Sequence, residues 1–490
     1  MIDLTLAEVA RLVGGRLHRA TGDERVTGTV EFDSRAVGPG GLFVALPGER
    51  VDGHAFAPTA VAAGAAGVLA SREVDAPAVI VEPIRGATVS EAAHDEGGAA
   101  VLVALQTLAR AVVDRLDGLR VTGLTGSSGK TSTKDLVATL LELDGPTVAP
   151  PGSFNNELGH PWTVLRADPT TRHLVLELSA RGPGHIASLC RVAPPRVGAV
   201  LNVGSAHLGE FGSRAAIAAA KGELVEALPA SGVAVLGADD PVVAAMAGRT
   251  LARVVHAGRA AEAHVRAVDE VLDDEGRARF RLVTPVGEAD VALGLRGAHQ
   301  VDNALVAAAI ALETTALTPG QVADALSAAT PRSRWRMEVG ERADGVKVLN
   351  DAYNANPESM RAALTTLAAM GGRHTAVLGP MAELGDDADA AHAELGRLAA
   401  STGLHRLVVV GEAARGVHEA ARSAGLASDL VPDATAAVEA VHAEPGDVVL
   451  VKASRSAGLE KVAQALMDHR SGQRSTLAGK SGLASGEGAQ

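Results

Sequence analysis

The stretch TGLTGSSGKTSTKD at residues 122–135 has the residue types and spacing to cradle a phosphate chain. An apolar run at 121–124 leads into a glycine-rich turn, then Lys130-Thr131, then the helical pattern DLVATLLEL. Glycines let backbone N–H groups converge on phosphate oxygens, and a following helix N-terminus adds a favourable dipole. Gly126, Ser127, Ser128, Gly129 and Ser132 would line this cradle. Lys130 would supply charge to the β/γ-phosphates, and the Thr131 hydroxyl would ligate Mg²⁺. Leu124 takes the first glycine position of the longer G-x-x-x-x-G-K-[ST] pattern, which leaves Gly126-x-x-Gly129-Lys130-Thr131. By itself the loop means a nucleoside triphosphate; kinase, GTPase, ATPase motor and ligase all stay open.

Downstream residues extend the chemistry. Glu177 ends the apolar run HLVLELS, where a carboxylate reaches a phosphate-bound metal; a buried structural glutamate fits the position equally. Asn202 and His207 follow the next run, in LNVGSAHLGEFGS, and His207 fits a metal ligand as well as a capping or core histidine. Lys221, in RAAIAAAKGELVEAL, reads from composition as a solvated helix lysine. NDAYNANPESM supplies Asp351, Asn354 and Asn356 just before Pro357, a pattern that simple helix capping also explains.

Strands must hold these residues. Apolar runs at 173–179, 196–204, 232–237, 346–351, 374–379, 406–411 and 447–454 alternate with helix-length segments. Val/Leu-rich runs in that rhythm predict an α/β fold with buried parallel strands, whose carboxyl ends bind ligands. Three domains are expected, over 1–115, 116–330 and 331–470. Residues 85–100 are expected to be a loop or insertion, and the polar tail 471–490 to be disordered. Thr5 with Glu8 predicts a capping box at the first helix.

Composition narrows the classes. Aromatic residues are 2% of the 490, which excludes base stacking as the main binding device. A net charge of −13 argues against nucleic acid or an anionic membrane as partner. Cys190 is the lone cysteine, so a disulfide framework and a multi-cysteine metal site are excluded. The N-terminus has no basic start followed by an apolar run, and the Ala-rich stretch Pro58–Ala70 lacks the length and hydropathy of a membrane span, so a cytoplasmic protein without membrane insertion is expected.

Taken in order, FDSRAVGPGGLFVALPGERVDGHAF, TGSSGKTSTK, PGSFNNELGHP, NVGSAHLGEFGS with AKGE, RGAHQVDNALVAAA, NDAYNANPESM, LGPMAELG and VKASRSAGLE resemble the Mur ligases. These are ATP-dependent amide ligases of peptidoglycan precursor synthesis. NDAYNANP and KASRSAGLE favour the branch that adds D-alanyl-D-alanine to UDP-N-acetylmuramoyl-tripeptide. The tripeptide-forming relative carries a DNPR-type motif that is missing here. The resemblance implies a small N-terminal α/β domain for the UDP-sugar, a central P-loop ATPase domain with a mainly parallel sheet, and a Rossmann-like C-terminal domain. It implies ATP and Mg²⁺ as cofactors, an acyl-phosphate route, and a monomer.

Residue roles follow from the same resemblance. Ser34 and Arg35 fall where the family contacts the UDP-substrate, and Asn155, Asn156 and Glu157 in the loop facing substrate and phosphates. Lys130, Glu177, His207 and Lys221 are the catalytic set, with Thr131, Glu177, His207 and Lys221 at the metal. Lys221 matches a lysine that is carbamylated in several members. His299 and Asn303 match adenosine-side positions, while Arg336 and Asp351 match residues that close over the nucleotide. Asn354, Asn356, Ser454 and Arg455 lie in segments associated with the dipeptide. The rivals are the tripeptide-forming ligase, a folylpolyglutamate synthetase-like ligase and, from another class, a P-loop regulatory module.

Overall fold

The computed structural model describes residues 1–48, 51–86, 90, 92–205 and 208–468. His207 and the tail 471–490 lie outside the described residues. Three large sheets carry the described residues in mixed α/β arrangement, beside a two-stranded antiparallel ribbon of Leu4–Thr5 with Arg25–Val26.

The first sheet has five strands, in the spatial order Arg16–His18, Ala78–Ile80, Gly67–Ala70, Leu42–Val44, Val30–Glu31. All its pairings are parallel except that of Arg16–His18 with Ala78–Ile80. The Leu6–Val13 helix begins with the expected capping box, in which Thr5 and Glu8 satisfy each other's backbone N–H.

The second sheet has nine strands. From one edge they run Thr147–Val148, His173–Glu177, Arg120–Thr125, Val197–Val200, Val233–Gly237, Arg253–Gly258 and Val265–Leu272, all in parallel. Arg277–Thr284 and Gly287–Arg296 then extend the sheet antiparallel. Arg120–Thr125 sits between His173–Glu177 and Val197–Val200, so three adjacent strand ends converge on one spot, the phosphate loop. The third sheet has six strands; Lys347–Asn350, Val448–Lys452, His374–Leu378, Arg406–Val410 and Ser428–Val431 are parallel, and Glu338–Glu341 pairs antiparallel at the edge.

One expectation is corrected. Residues 96–100, read as part of a loop, open the long helix Glu96–Val113, which Asp95 caps by accepting from Gly98 N–H. The small residues of GGAA fit because they pack closely; Ala99, Ala100 and Val101 are buried. Among the described residues this helix alone has the length and apolarity to cross a membrane, but most of its apolar surface is covered. It joins the Leu6–Val13 helix and the central helices Gly159–Val164 and His185–Val192 in one apolar core reaching from Ile2 to Ala252.

Candidate active site

The phosphate loop is held rigid by its neighbours. Gly129 has φ +80°, a left-handed conformation that suits glycine, and a Cβ there would lie 2.5 Å from Asn303 Oδ1. Asn202 Oδ1 accepts from Ser127 N–H at 3.0 Å and Ser128 N–H at 2.9 Å, while its amide donates to Ser128 O at 3.2 Å. Ser127 Oγ in turn accepts from Gly204 N–H at 2.8 Å. A residue that merely follows a strand in sequence is thus the clamp of the loop. Lys130 folds back to donate to Gly126 O at 2.7 Å. Burial lowers its ammonium pKa, an effect that the Glu177 carboxylate opposes.

Glu177 is 2% exposed. Its two oxygens accept from Thr131 Oγ1 at 2.9 Å and from Asn155 Nδ2 at 2.7 Å. Thr131 Oγ1 also meets Ser153 Oγ at 2.7 Å, and Arg336 donates to that same Ser153 oxygen at 2.7 Å. Asn303 accepts from Thr133 Oγ1 at 3.1 Å and donates to Gln300 Oε1 at 2.9 Å, so it braces the loop from behind.

The C-terminal segment forms the facing wall. Arg336 lies 4.2 Å from the Tyr353 ring centroid. Asp351 accepts from Lys452 Nζ at 2.6 Å and from Met337 N–H at 3.0 Å. Glu358 accepts from Ser205 N–H at 2.8 Å and Ser205 Oγ at 3.0 Å, reaching across to the central domain. Asn356 caps the Pro357–Ala369 helix reciprocally with Ser359, as its position before Pro357 suggested, and its amide comes within 3.5 Å of Ser127 O. Between the walls lies a cavity of about 750 Å³.

Its lining includes Ser127, Ser128, Gly129, Lys130, Thr131, Ser132, Asn155, Asn156, Glu157 and Glu177, with His299, Asn303, Arg336, Asp351, Asn354 and Asn356 opposite or beside them. Burial between the walls pushes His299 down to about 4, against the pull of Asp351, so the ring is neutral at pH 7. Ser34, Arg35, Gly126, Lys221, Ser454 and Arg455 are not in this lining. Arg35 is exposed and paired with Asp33. Ser454 accepts from Ala382 N–H at 2.8 Å, and Arg455 lies 4.4 Å from the Trp335 ring centroid.

Lys221 overturns its composition reading. It is 5% exposed, not solvated. In the Arg214–Glu226 helix the buried stripe runs Ile217, Ala220, Lys221, Leu224, Val225, so the lysine occupies a core-facing position. That spacing was legible, yet the small alanines around it concealed the stripe. Burial, reinforced by the Lys130 charge, lowers its pKa well below the ordinary value. Sequence reasoning left Ser153, Gln300, Tyr353, Glu358 and Lys452 unassigned, although all line the cavity.

Residues 124–311 match the Mur ligase middle domain, 335–455 the Mur ligase glutamate ligase domain, and 28–117 the Mur ligase family catalytic domain. The UDP-N-acetylmuramoyl-tripeptide–D-alanyl-D-alanine ligase of Mycobacterium bovis is 54% identical, over 95% of this chain and 98% of its own. The Escherichia coli enzyme of that name is 35% identical, over 96% and 99%. Among solved structures, MurF from Acinetobacter baumannii superposes with TM-score 0.82 at 29% identity, covering 95% of this chain and 99% of that one. MurF from Thermotoga maritima, solved in complex with ADP, gives TM-score 0.74 at 29% identity, covering 90% and 98%. With its three sheets, its clamped phosphate loop and these matches along almost its whole length, the chain belongs to the Mur ligase family.

Proposed function

We propose that the chain joins D-alanyl-D-alanine to UDP-N-acetylmuramoyl-tripeptide with ATP, giving the UDP-linked pentapeptide of peptidoglycan synthesis. The observation that carries this reading is the 54% identity, across nearly the full length of both chains, to an enzyme of that name. The cavity geometry supports it. A carboxylate does not acylate an amine in neutral water, because oxide would have to leave. Transfer of the γ-phosphoryl group to the tripeptide carboxylate gives an acyl phosphate; the dipeptide amine attacks it, and phosphate departs. The first step brings two anions together, so positive charge must sit where they meet. Lys130 and Arg336 supply it from opposite walls, and the neutral His299 ring adds no charge beside the nucleotide. The remote UDP-sugar handle aligns the carboxylate through binding energy spent away from the reacting atoms.

The donor set suits a magnesium ion: the Thr131 hydroxyl and Glu177 carboxylate are hard oxygen donors already in contact, of the kind that ion takes alongside phosphate oxygens. Bound there, it would neutralise developing charge on the phosphates. Lys221 is the second element of this reading. Burial that lowers the Lys221 pKa favours the free lone pair that attacks CO₂, and the carbamate would return a negative charge to a region dominated by Lys130. His207 completes the family's metal set by resemblance.

Two walls excluding water protect an acyl phosphate from hydrolysis. The same reading takes the chain to act as a monomer, and use of a nucleotide-linked precursor points to the cytoplasm. Stoichiometric ADP release that requires both UDP-N-acetylmuramoyl-tripeptide and D-alanyl-D-alanine tests the assignment. Release with a single amino acid in place of the dipeptide would move the chain to another branch.

A further inference from the structure

Six Phe, two Trp and one Tyr are all the aromatic residues this chain holds. Three of them meet at one junction. Phe32 lies 6.3 Å from Phe154 and 5.8 Å from Trp162 in an edge-on arrangement, and Phe154 lies 4.6 Å from Trp162 between ring centroids. The Trp162 indole N–H donates to Glu31 Oε2 at 3.2 Å, and the Arg166 guanidinium lies 5.0 Å from its ring centroid. Such ring pairs have a preferred relative orientation, unlike contacts among the aliphatic side chains that pack most of this chain.

The placement connects two parts of the molecule. Phe32 directly follows the Val30–Glu31 edge strand of the first sheet and precedes Asp33, Ser34 and Arg35. Phe154 lies between Ser153, which meets Thr131 and Arg336, and Asn155, which holds Glu177. Asn156 then accepts from Gly159 N–H at 2.9 Å at the start of the Gly159–Val164 helix that carries Trp162. A Cβ on Gly159 would come within 2.7 Å of Phe154 Cβ, so loop and helix are closely fitted around that ring. A shift of Phe32 therefore presses on the loop that fixes Thr131 and Glu177.

We propose that Phe32 is a positioning residue that couples occupancy of the N-terminal domain to the reacting end of the cavity, acting through Phe154 and Trp162. The inference rests on the proposed function for the identity of the N-terminal occupant. It assigns Phe32 no contact with ATP. Bound UDP-substrate steadies the segment around Ser34, Phe32 transmits that order to Phe154, and Ser153 and Asn155 settle at the phosphate site.

The test uses the full chain with Phe32→Ala, Phe32→Leu and Phe32→Tyr. Calorimetry gives the affinity for a non-hydrolysable ATP analogue with and without saturating UDP-N-acetylmuramoyl-tripeptide; kinetics give kcat and each KM. In the parent chain the UDP-substrate should tighten the analogue by about fivefold or more. Phe32→Ala should bring that ratio to about one and lower kcat by about tenfold to a hundredfold, with affinity for the analogue alone kept within about twofold. Phe32→Tyr should restore both. Phe32→Leu, which keeps the apolar bulk, should lose most of the coupling and serves as the deciding variant if the alanine chain does not fold. Full coupling in the folded alanine or leucine variant overturns the proposal, as does a parent chain that ligates without coupling. A parent chain that does not ligate these substrates sinks the functional reading instead.

Discussion

The two walls of the cavity are built differently. On the central wall each key group is already held by its own domain: Asn202 clamps Ser127 and Ser128, Lys130 rests on Gly126 O, and Thr131, Glu177 and Asn155 form one chain of hydrogen bonds. On the C-terminal wall Asp351 and Lys452 hold each other, but Arg336, Asn356 and Glu358 reach across to Ser153, Ser127 and Ser205. The first wall is preorganised; the second works by approach. Damage to the first should therefore appear in the chemical step or in nucleotide binding, and damage to the second in the cost of closure.

The largest effect should come from Lys130→Ala. Removing a charge clamp from the preorganised wall should raise the barrier by about 4 kcal/mol, a thousandfold in kcat, with an unchanged circular dichroism spectrum. Near-normal turnover would erase the distinction between the walls. Lys221→Ala should lower kcat by about a few hundredfold, and added acetate should restore part of it by supplying the missing carboxylate. Full activity without acetate would reduce Lys221 to a buried structural amine.

Acid should strain the central wall next. His160 is wholly buried, and burial pushes it down to about 4 against the opposing pull of the Leu189 backbone. The unfolded chain takes up the proton near pH 6.5 and the folded chain only near 4. The stability tied to the neutral ring is thus complete above about pH 6.5 and falls as pH drops towards 4, by up to about 3 kcal/mol. Urea midpoints across that window should decline, and His160→Leu should flatten the decline.

Asn202→Ala would strip Ser128 N–H of its side-chain acceptor and leave Ser127 N–H only the Asn202 backbone carbonyl; ADP affinity should weaken by about tenfold to a hundredfold, read by calorimetry. Smallest is Glu358→Gln, which keeps a hydrogen bond to Ser205 but drops the charge. A change in KM for ATP of about threefold, with kcat nearly kept, would mark it as a closure contact. A collapse of kcat would show the second wall to be as preorganised as the first.

Much of this contrast was legible in the sequence. The phosphate loop announced itself because strand, turn, Lys-Thr and helix are contiguous. The parallel strands showed as apolar runs. The antiparallel extension at 277–296 was not read, although RARFRLVT alternates as a half-buried strand should. Cross-wall contacts were illegible in principle: Asn356 and Ser127 stand far apart in the chain, and no local period ties Glu358 to Ser205. Lys221 falls between the two cases, since its stripe was present but written in alanines.

The helix Glu96–Val113 has a consequence for synthesis. As the chain leaves the ribosome, the first sheet is finished at Ile80 and this helix follows, with one side free to settle on the Leu6–Val13 helix. Its other side is covered by Gly159–Val164 and His185–Val192, which at that moment are still untranslated or inside the exit tunnel. At about 5–20 residues per second, several seconds pass before that apolar face is covered. The nascent N-terminal unit is thus an obvious client for a chaperone, and a stop codon placed just after residue 113 would yield a sticky fragment rather than a clean domain.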